Sequence, residues 1–544
     1  MERNQLWYGD NLEVMRKMPD EIADLVYLDP PFNSNRNYNL LFKQHKGQDS
    51  PAQIMAFEDT WQWSPLEYEK FRADDRNAPL WKLVAALFDV LGPSEMMAYV
   101  VMMAPRLLEL HRKLKPTGSL YLHCDPVASH YLKIVLDVIF GPDKFKNEIT
   151  WKRTHAHGNA SVNYGKISDT ILFYTKGSTY VWNQPFLALD EEQRRKKYPH
   201  TDADGRRWQS VTLRNPGPRP NLHFPYTTRD GRTFQPHPNG WACNEARLHR
   251  YEAEGRLHYP SNPNGALRLK MYEDESPGEK VQNMWVDIPP IGSQAKERRG
   301  YPTQKPLALL ERIIATSSNE GDVVMDPFAG CGTAIVAAER MNRKWIGIDV
   351  TYLAINEIID RLNTEHAEGK PPVYELQGTP KDVAAAEALF ETTKDQNHKP
   401  FEQWAVTLVG GRWREKKGAD RGIDGRIGLW HPTGEFREAL IQVKGGKGLT
   451  LSQVRDFANV IESNKAVLGI LITMREPTKE MNLVADGMGF ADWPSSRKFP
   501  RYQILTIEDL LEKGVVAQLP DVFRADLQQG VGKAKEAGQS GLDL

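Results

Sequence analysis

Apolar runs of strand length alternate with amphipathic stretches from the N-terminus to about position 180. Residues 22–28, IADLVYL, are almost wholly apolar and end at Asp29, which predicts a strand buried on both faces. Residues 33–78 are polar, rich in Asn, Gln and Trp, and predict a loop or lid. Helical periodicity returns over 95–114. Lys115-Pro116-Thr117-Gly118 then predicts a turn, 119–124 a strand, 127–139 a helix, and 148–152 and 169–175 two further strands.

The texture changes from about 180 to 290, where Pro, Gly, Asn, Trp and Arg abound and periodicity is weak. That span is too long for a structureless loop in a compact domain and predicts an inserted module. Alternation resumes with helix 306–317, strand 322–326, helix 333–341, strand 344–349 and helix 352–363. A junction follows over 365–398, with a helical patch near 381–393. A last unit then shows helix 400–409, a strand around Asp424, strand 438–444, helix 451–463 and strand 466–472. The pattern predicts an α/β protein built on a parallel sheet covered by helices. Its segments are 1–179, an insert 180–290, 291–375, a linker 376–398, a C-terminal α/β unit 399–520 and a flexible tail 521–544.

Composition narrows the class. The 544 residues carry a net charge of −1, with 40% hydrophobic and 26% charged residues, as in an ordinary soluble protein. No apolar stretch approaches the roughly 18 residues of a membrane span, and the N-terminus lacks the apolar core of a signal peptide. Cys124, Cys243 and Cys331 are too scattered for a metal site or a disulfide framework. A cytoplasmic, membrane-free protein is expected. Any nucleic-acid surface must be local, and residues 194–256 supply one candidate: 13 Lys and Arg against 6 Asp and Glu, a net of +7. No ATP-binding loop of the Gly-x-x-x-x-Gly-Lys-Ser/Thr type occurs, so no ATP is expected.

Two motifs carry the chemistry. Asp326-Pro327-Phe328-Ala329-Gly330-Cys331-Gly332-Thr333 is a strand-to-helix turn whose glycines let the backbone approach a ligand. Asp349 ends the next strand, where a carboxylate can accept from ribose hydroxyls. No third glycine follows, so a nucleoside with an amino-acid tail suits the turn better than a pyrophosphate. The second motif is Asp29-Pro30-Pro31-Phe32, 297 residues earlier. An exocyclic amine is a poor nucleophile because its lone pair is delocalised into the ring. The Asp29 carboxylate and the Pro30 carbonyl can each accept one of its hydrogens and localise that pair. The prolines stiffen the turn, and Phe32 offers a face for a base rotated out of the duplex. Carbon methylation of cytosine needs a cysteine nucleophile, usually after proline, and no cysteine here follows one. The segment 1–21, before the first strand, looks too short for a cofactor-binding βα unit. The cofactor half is therefore expected after the catalytic half, with the insert between them.

With Tyr8-Gly9-Asp10-Asn11-Leu12 and Tyr301-Pro302-Thr303-Gln304-Lys305-Pro306-Leu307, these motifs make the first 375 or so residues resemble the permuted beta-class DNA amino-methyltransferases. The resemblance implies a Rossmann-like methyltransferase domain, S-adenosylmethionine as cofactor and double-stranded DNA as partner, and leaves room for a homodimer. It implies a catalytic half at 1–179, a target-recognition insert at 180–290 and a cofactor half at 291–375. It also implies Asp10 near the cofactor adenine, Thr303 and Lys305 in the cofactor pocket, and contacts from Asp326, Phe328, Gly330, Gly332 and Thr333. Asp as the first residue of the catalytic motif favours adenine N6 over cytosine N4.

In the last unit Asp424 precedes Gln442 and Lys444, which alternate along one strand and so share a face. A carboxylate, an amide oxygen and a lysine are the minimum apparatus for Mg²⁺-assisted phosphodiester cleavage, and Glu402 could complete it. The unit resembles restriction-endonuclease domains of the Mrr type, a branch of the PD-(D/E)xK nucleases, with Gln442 where most of the wider superfamily carries an acid. A single-chain restriction–modification enzyme is the leading expectation. The rivals are a methyltransferase whose nuclease-like domain only grips DNA, and a catalytically silent DNA-binding protein.

Overall fold

In the computed structural model, the apolar runs on both sides of the insert build one nine-stranded sheet. Its strands are β1 (Asn4–Tyr8), β2 (Ala23–Leu28), β3 (Leu114–Cys124), β4 (Phe145–Lys152), β5 (Ser168–Thr175), β6 (Met284–Trp285), β7 (Val323–Asp326), β8 (Lys344–Asp349) and β9 (Tyr374–Gln377). The order across the sheet is β6-β4-β5-β3-β2-β7-β8-β1-β9. β5 runs antiparallel to both neighbours, and every other pair is parallel. The structure describes residues 3–31, 36–43, 49–59, 63–154, 164–262, 265–292, 294–299, 301, 303–366, 372–394, 397–413, 422–433, 435–446, 448–495 and 497–520.

Helices α1 (Asn11–Lys17), α2 (Glu95–Lys113), α3 (Pro126–Phe140), α4 (Leu307–Ser317), α5 (Thr333–Arg340) and α6 (Tyr352–Glu365) accompany the sheet. Their starts are written in local chemistry. Ser94 accepts from Met97 N–H, Asp125 from Ala128 N–H with Pro126 in the first turn, and Thr351 from Ala354 N–H. Leu25, Val26 and Leu28 of β2 are fully buried, Val26 and Leu28 in one core with the apolar faces of α2 and α3, each side chain contributing roughly 1.5–3 kcal/mol.

Three expectations change. The segment 1–21 does form a strand and a helix, and β1 sits between β8 and β9, inside the cofactor half. The turn expected at 115–118 is absorbed into β3: Ala23 pairs with Leu114 and Leu25 with Ser119, so the intervening residues bulge out of the ladder. The span 33–78 holds a hairpin, Arg36–Lys43 with Asp49–Asp59, and the helix Pro65–Ala73. The helical patch expected near 381–393 is helix α7 (Val383–Thr392), whose Ala386 belongs to the core of the C-terminal unit. The tail 521–544 lies outside the described residues.

Residues Gln184–Gln282 form a compact unit of their own. Short antiparallel strands, including Arg207–Thr212 with Arg268–Tyr272, and the helix Glu245–Ala253 enclose Leu213, Tyr226, Phe234, Trp241 and Leu248. Much of its basic excess is internally paired: Arg206 with Asp274 and Glu275, Arg207 with Glu191 and Glu273, Arg256 with Glu275.

The C-terminal part carries a five-stranded sheet in the order β10 (Arg412–Trp413), β11 (Gly425–Trp430), β12 (Phe436–Lys444), β13 (Leu468–Thr473), β14 (Tyr502–Thr506). β10, β11 and β12 pair antiparallel, and β12, β13 and β14 pair parallel. Helices α8 (Lys399–Leu408) and α9 (Leu451–Ser463) supply Phe401 and Trp404 to one core and Val454 and Phe457 to another.

Candidate active site

β2 and β7 are neighbours in register, Leu25 with Val324 and Val26 with Met325. Asp29 and Asp326 therefore leave the sheet side by side at its carboxyl edge, the position where open α/β sheets bind ligands. A cavity of about 290 Å³ opens there. Asp29, Pro30 and Pro31 line it from one motif, and Asp326, Phe328, Gly330 and Thr333 from the other; Asp10, Thr303, Lys305 and Asp349 complete the predicted set. Gly332 is not among the lining residues. Phe32 lies outside the described residues.

The Asp29-Pro30-Pro31 turn is held by a residue 276 positions further along the chain. Lys305 donates to Asp29 Oδ2, while Asp29 Oδ1 is buried and has no hydrogen-bond partner among the described residues. The lysine expected in the cofactor pocket thus has its ammonium on the Asp29 carboxylate. One oxygen is anchored and the other keeps its acceptor capacity unused.

The glycine turn is tied to the end of β8. Gly330 N–H donates to Asp349 Oδ2 at 2.9 Å, and the Thr351 N–H and hydroxyl both donate to Asp349 Oδ1 at 2.9 Å. The carboxylate keeps acceptor capacity for a further donor. Gly330 and Gly332 have φ of 50° and 74°, and a Cβ at 332 would stand 2.6 Å from Ile358 Cγ1; only glycine fits. Arg361 braces the turn from below, donating to Cys331 O at 2.7 Å and Thr333 Oγ1 at 3.1 Å. Burial pushes Asp326 well above the usual carboxylate range, against the Phe328 N–H bond that lowers it, and burial raises Asp349 as well.

Sequence reasoning missed a second brace. Asp10 caps α1 through Leu12 N–H at 2.9 Å and receives Arg106 Nη2 at 2.5 Å. Arg106 Nε donates to Asn11 Oδ1 at 2.6 Å, and Asn11 Nδ2 donates to Pro327 O at 2.7 Å. The chain Arg106–Asn11–Pro327 joins α2, α1 and the glycine motif. Its signal was an arginine one helical turn after Met102, on the face where both meet the cavity. All three thiols are buried, and burial raises their pKa values. None is prepared as a nucleophile.

In the C-terminal unit, Asp424 is buried just before β11. Its N–H donates to Ile441 O at 2.9 Å, and its Oδ2 accepts from Val443 N–H at 2.8 Å. Gln442 donates to Gly422 O at 2.7 Å. Lys444 ends β12 and Glu402 lies in the first turn of α8, both half-buried. Among the described residues no group of three His, Cys, Asp or Glu side chains could hold a metal ion, and no helix is long and apolar enough to cross a membrane.

A family model described as DNA methylase (N6_N4_Mtase) matches residues 23–359. Another, described as NACHT-associated inactive Restriction Endonuclease 1, matches residues 398–512. The chain is 28% identical over 395 residues to the Type II methyltransferase M.EcaI of Enterobacter cloacae, covering 72% of this chain and 75% of that protein. It is 27% identical over 348 residues to the Type III restriction-modification enzyme StyLTI Mod subunit of Salmonella typhimurium, covering 62% and 50%. It is 24% identical over 363 residues to the DNA adenine methyltransferase YhdJ of Escherichia coli, covering 66% and 83%.

Proposed function

The chain belongs to the DNA methylase family, and from that premise we propose that it transfers a methyl group from S-adenosylmethionine to the exocyclic amine of a flipped base in double-stranded DNA, with adenine N6 as the target. The carrying observation is the Asp29 carboxylate, anchored by Lys305 on one oxygen and buried without a hydrogen-bond partner on the other, in the same cavity as the glycine turn. The leading Asp of the catalytic motif and the likeness to an adenine methyltransferase support N6 over cytosine N4.

The lining fits the cofactor. Gly330 leaves the backbone close to the cavity, Asp349 can accept from ribose hydroxyls, and Asp10, Arg106, Asp326 and Thr303 line the same cavity and would flank the adenosyl group. When bound, S-adenosylmethionine supplies an electrophilic methyl group. Asp29 Oδ1 accepts one amine hydrogen and the Pro30 carbonyl the other, which localises the nitrogen lone pair. Lys305 keeps Asp29 in place. Incubating duplex DNA with the chain and labelled cofactor tests the reading: wild type should label DNA and Asp29→Ala should not.

For the unit Gln184–Gln282 the proposal is target recognition. Arg214 and Arg219 are exposed and form no ion pair among the described residues, so both are placed for phosphates or guanine edges. For the C-terminal unit we propose that it grips DNA without cutting it. Asp424 and Glu402 are the carboxylates of the expected Asp424–Gln442–Lys444–Glu402 set, no group of three His, Cys, Asp or Glu side chains gathers for a metal among the described residues, and the matched family is described as inactive. Cleavage by a marking-and-cutting enzyme is the rival reading. Assays on unmodified, hemimethylated and fully methylated DNA with Mg²⁺ or Mn²⁺ separate the two: no cutting supports grip, and cutting lost in Lys444→Ala supports cleavage.

A further inference from the structure

A row of buried polar side chains runs behind the cavity, from β2 across β3 and β5 to the end of β4. Tyr27 on β2 meets His123 on β3, with Oη and Nδ1 3.0 Å apart. His123 Nε2 lies 3.1 Å from Asp169 Oδ2 on β5, and Arg153, just past β4, reaches Asp169 Oδ1 at 3.0 Å. Tyr27, His123 and Asp169 are at most 2% exposed. A buried row of this kind is costly unless every member is satisfied, and nothing in the methyl-transfer chemistry above uses it.

The polarity of the row follows from its ends. Burial works to raise Asp169, but the His123 hydrogen bond and the charges of Lys305 and Arg153 hold it below the usual carboxylate range. Asp169 is therefore an anion that accepts. With Nε2–H donated to that carboxylate, His123 presents Nδ1 as an acceptor. Burial, then the charges of Asp29 and Asp326, keep the Tyr27 phenol protonated, so it donates its one proton to His123. Tyr27 Oη is left with lone pairs only, and Tyr27 lines the cavity together with Asp29 and Asp326.

We propose that the His123–Asp169–Arg153 row is a positioning device that holds Tyr27 Oη as an acceptor toward the positively charged, methyl-bearing sulfur of the cofactor. Tyr27 then distinguishes the charged methyl donor from S-adenosylhomocysteine, the neutral product that differs at that centre. The inference rests on the methyltransferase reading. It gives β2 a functional residue of its own, two positions before Asp29, and gives His123, Asp169 and Arg153 a reason for their pairing.

The test is calorimetric titration of the full chain with each compound. Tyr27→Phe keeps the ring and removes the oxygen; it should weaken S-adenosylmethionine by about tenfold while changing S-adenosylhomocysteine by less than about twofold. Asp169→Asn should produce the same selective loss through His123, and the double variant should be no worse than Tyr27→Phe. Equal weakening of both compounds, or of neither, in Tyr27→Phe of unchanged melting temperature overturns the proposal and leaves methyl transfer standing. Wild-type chain that binds neither compound overturns the methyltransferase reading and this proposal with it.

Discussion

Lys305 donates to the Asp29 carboxylate across 276 residues of chain, joining the loop before α4 to the catalytic turn. The contact makes Lys305 a positioning residue for Asp29 as well as a wall of the cavity. Removing the acceptor should remove the reaction: Asp29→Ala should lower methyl transfer by at least about 10²–10³-fold. Lys305→Met should lower kcat by up to about 10²-fold by misplacing Asp29. Single-turnover methylation of duplex DNA, with cofactor affinity measured in parallel, checks both. An unchanged rate in Lys305→Met would contradict the positioning role.

The second prediction concerns the cofactor turn. Gly332 needs a positive φ and lies where a Cβ would meet Ile358. Gly332→Ala should cost about 1–2 kcal/mol from the backbone alone, and the clash with Ile358 adds to that. The melting temperature should fall and S-adenosylmethionine affinity should fall with it, because Gly330 and Thr333 flank the strained position. Unchanged melting and affinity would show that the turn tolerates a side chain.

The third concerns pH. Burial holds the Asp326 carboxyl well above its unfolded pKa. Its protonated form therefore favours the folded state. That contribution is full below the unfolded pKa and is lost as pH rises through the folded one. Asp326→Asn stays neutral and keeps an oxygen for Phe328 N–H. The variant should melt increasingly above wild type as pH rises, and the gap should close toward about pH 4. Thermal melts across that range would show a constant gap if the carboxyl titrates normally.

What was legible in the sequence follows from the range of the interactions. β2, β7 and β8 showed as apolar runs because each is buried along its length, and Asp29, Asp326 and Asp349 marked their ends. β1 did not show: NQLWY is a short strand with half-buried positions, and its partners lie far along the chain, Gln5 pairing with Ile346 and Asn4 with Tyr374. The turn at Lys115-Pro116-Thr117-Gly118 had sound local chemistry, but pairing of Leu114 and Ser119 with β2 overrode it. Within the site, most of the cofactor and catalytic positions could be named from motifs. Their pairing could not, because Lys305–Asp29, Asn11–Pro327 and the Tyr27–His123–Asp169 row join residues that share no local pattern.

The fourth prediction addresses recognition. Much of the basic excess of residues 194–256 is engaged in internal ion pairs, and Arg214 and Arg219 are among the exposed basic residues that form none among the described residues. Substituting both by alanine should weaken DNA binding and reduce the salt slope by about 1 for each phosphate no longer neutralised, with S-adenosylmethionine affinity unchanged. A salt slope equal to that of wild type would place the DNA contacts elsewhere.

The central claim is amine methylation through Asp29. Mass spectrometry of nucleosides from duplex DNA, incubated with the full chain and S-adenosylmethionine, tests it most directly. The account predicts N6-methyladenine with wild type and none with Asp29→Ala. C5-methylcytosine, or an undiminished methylated base from Asp29→Ala, would contradict it.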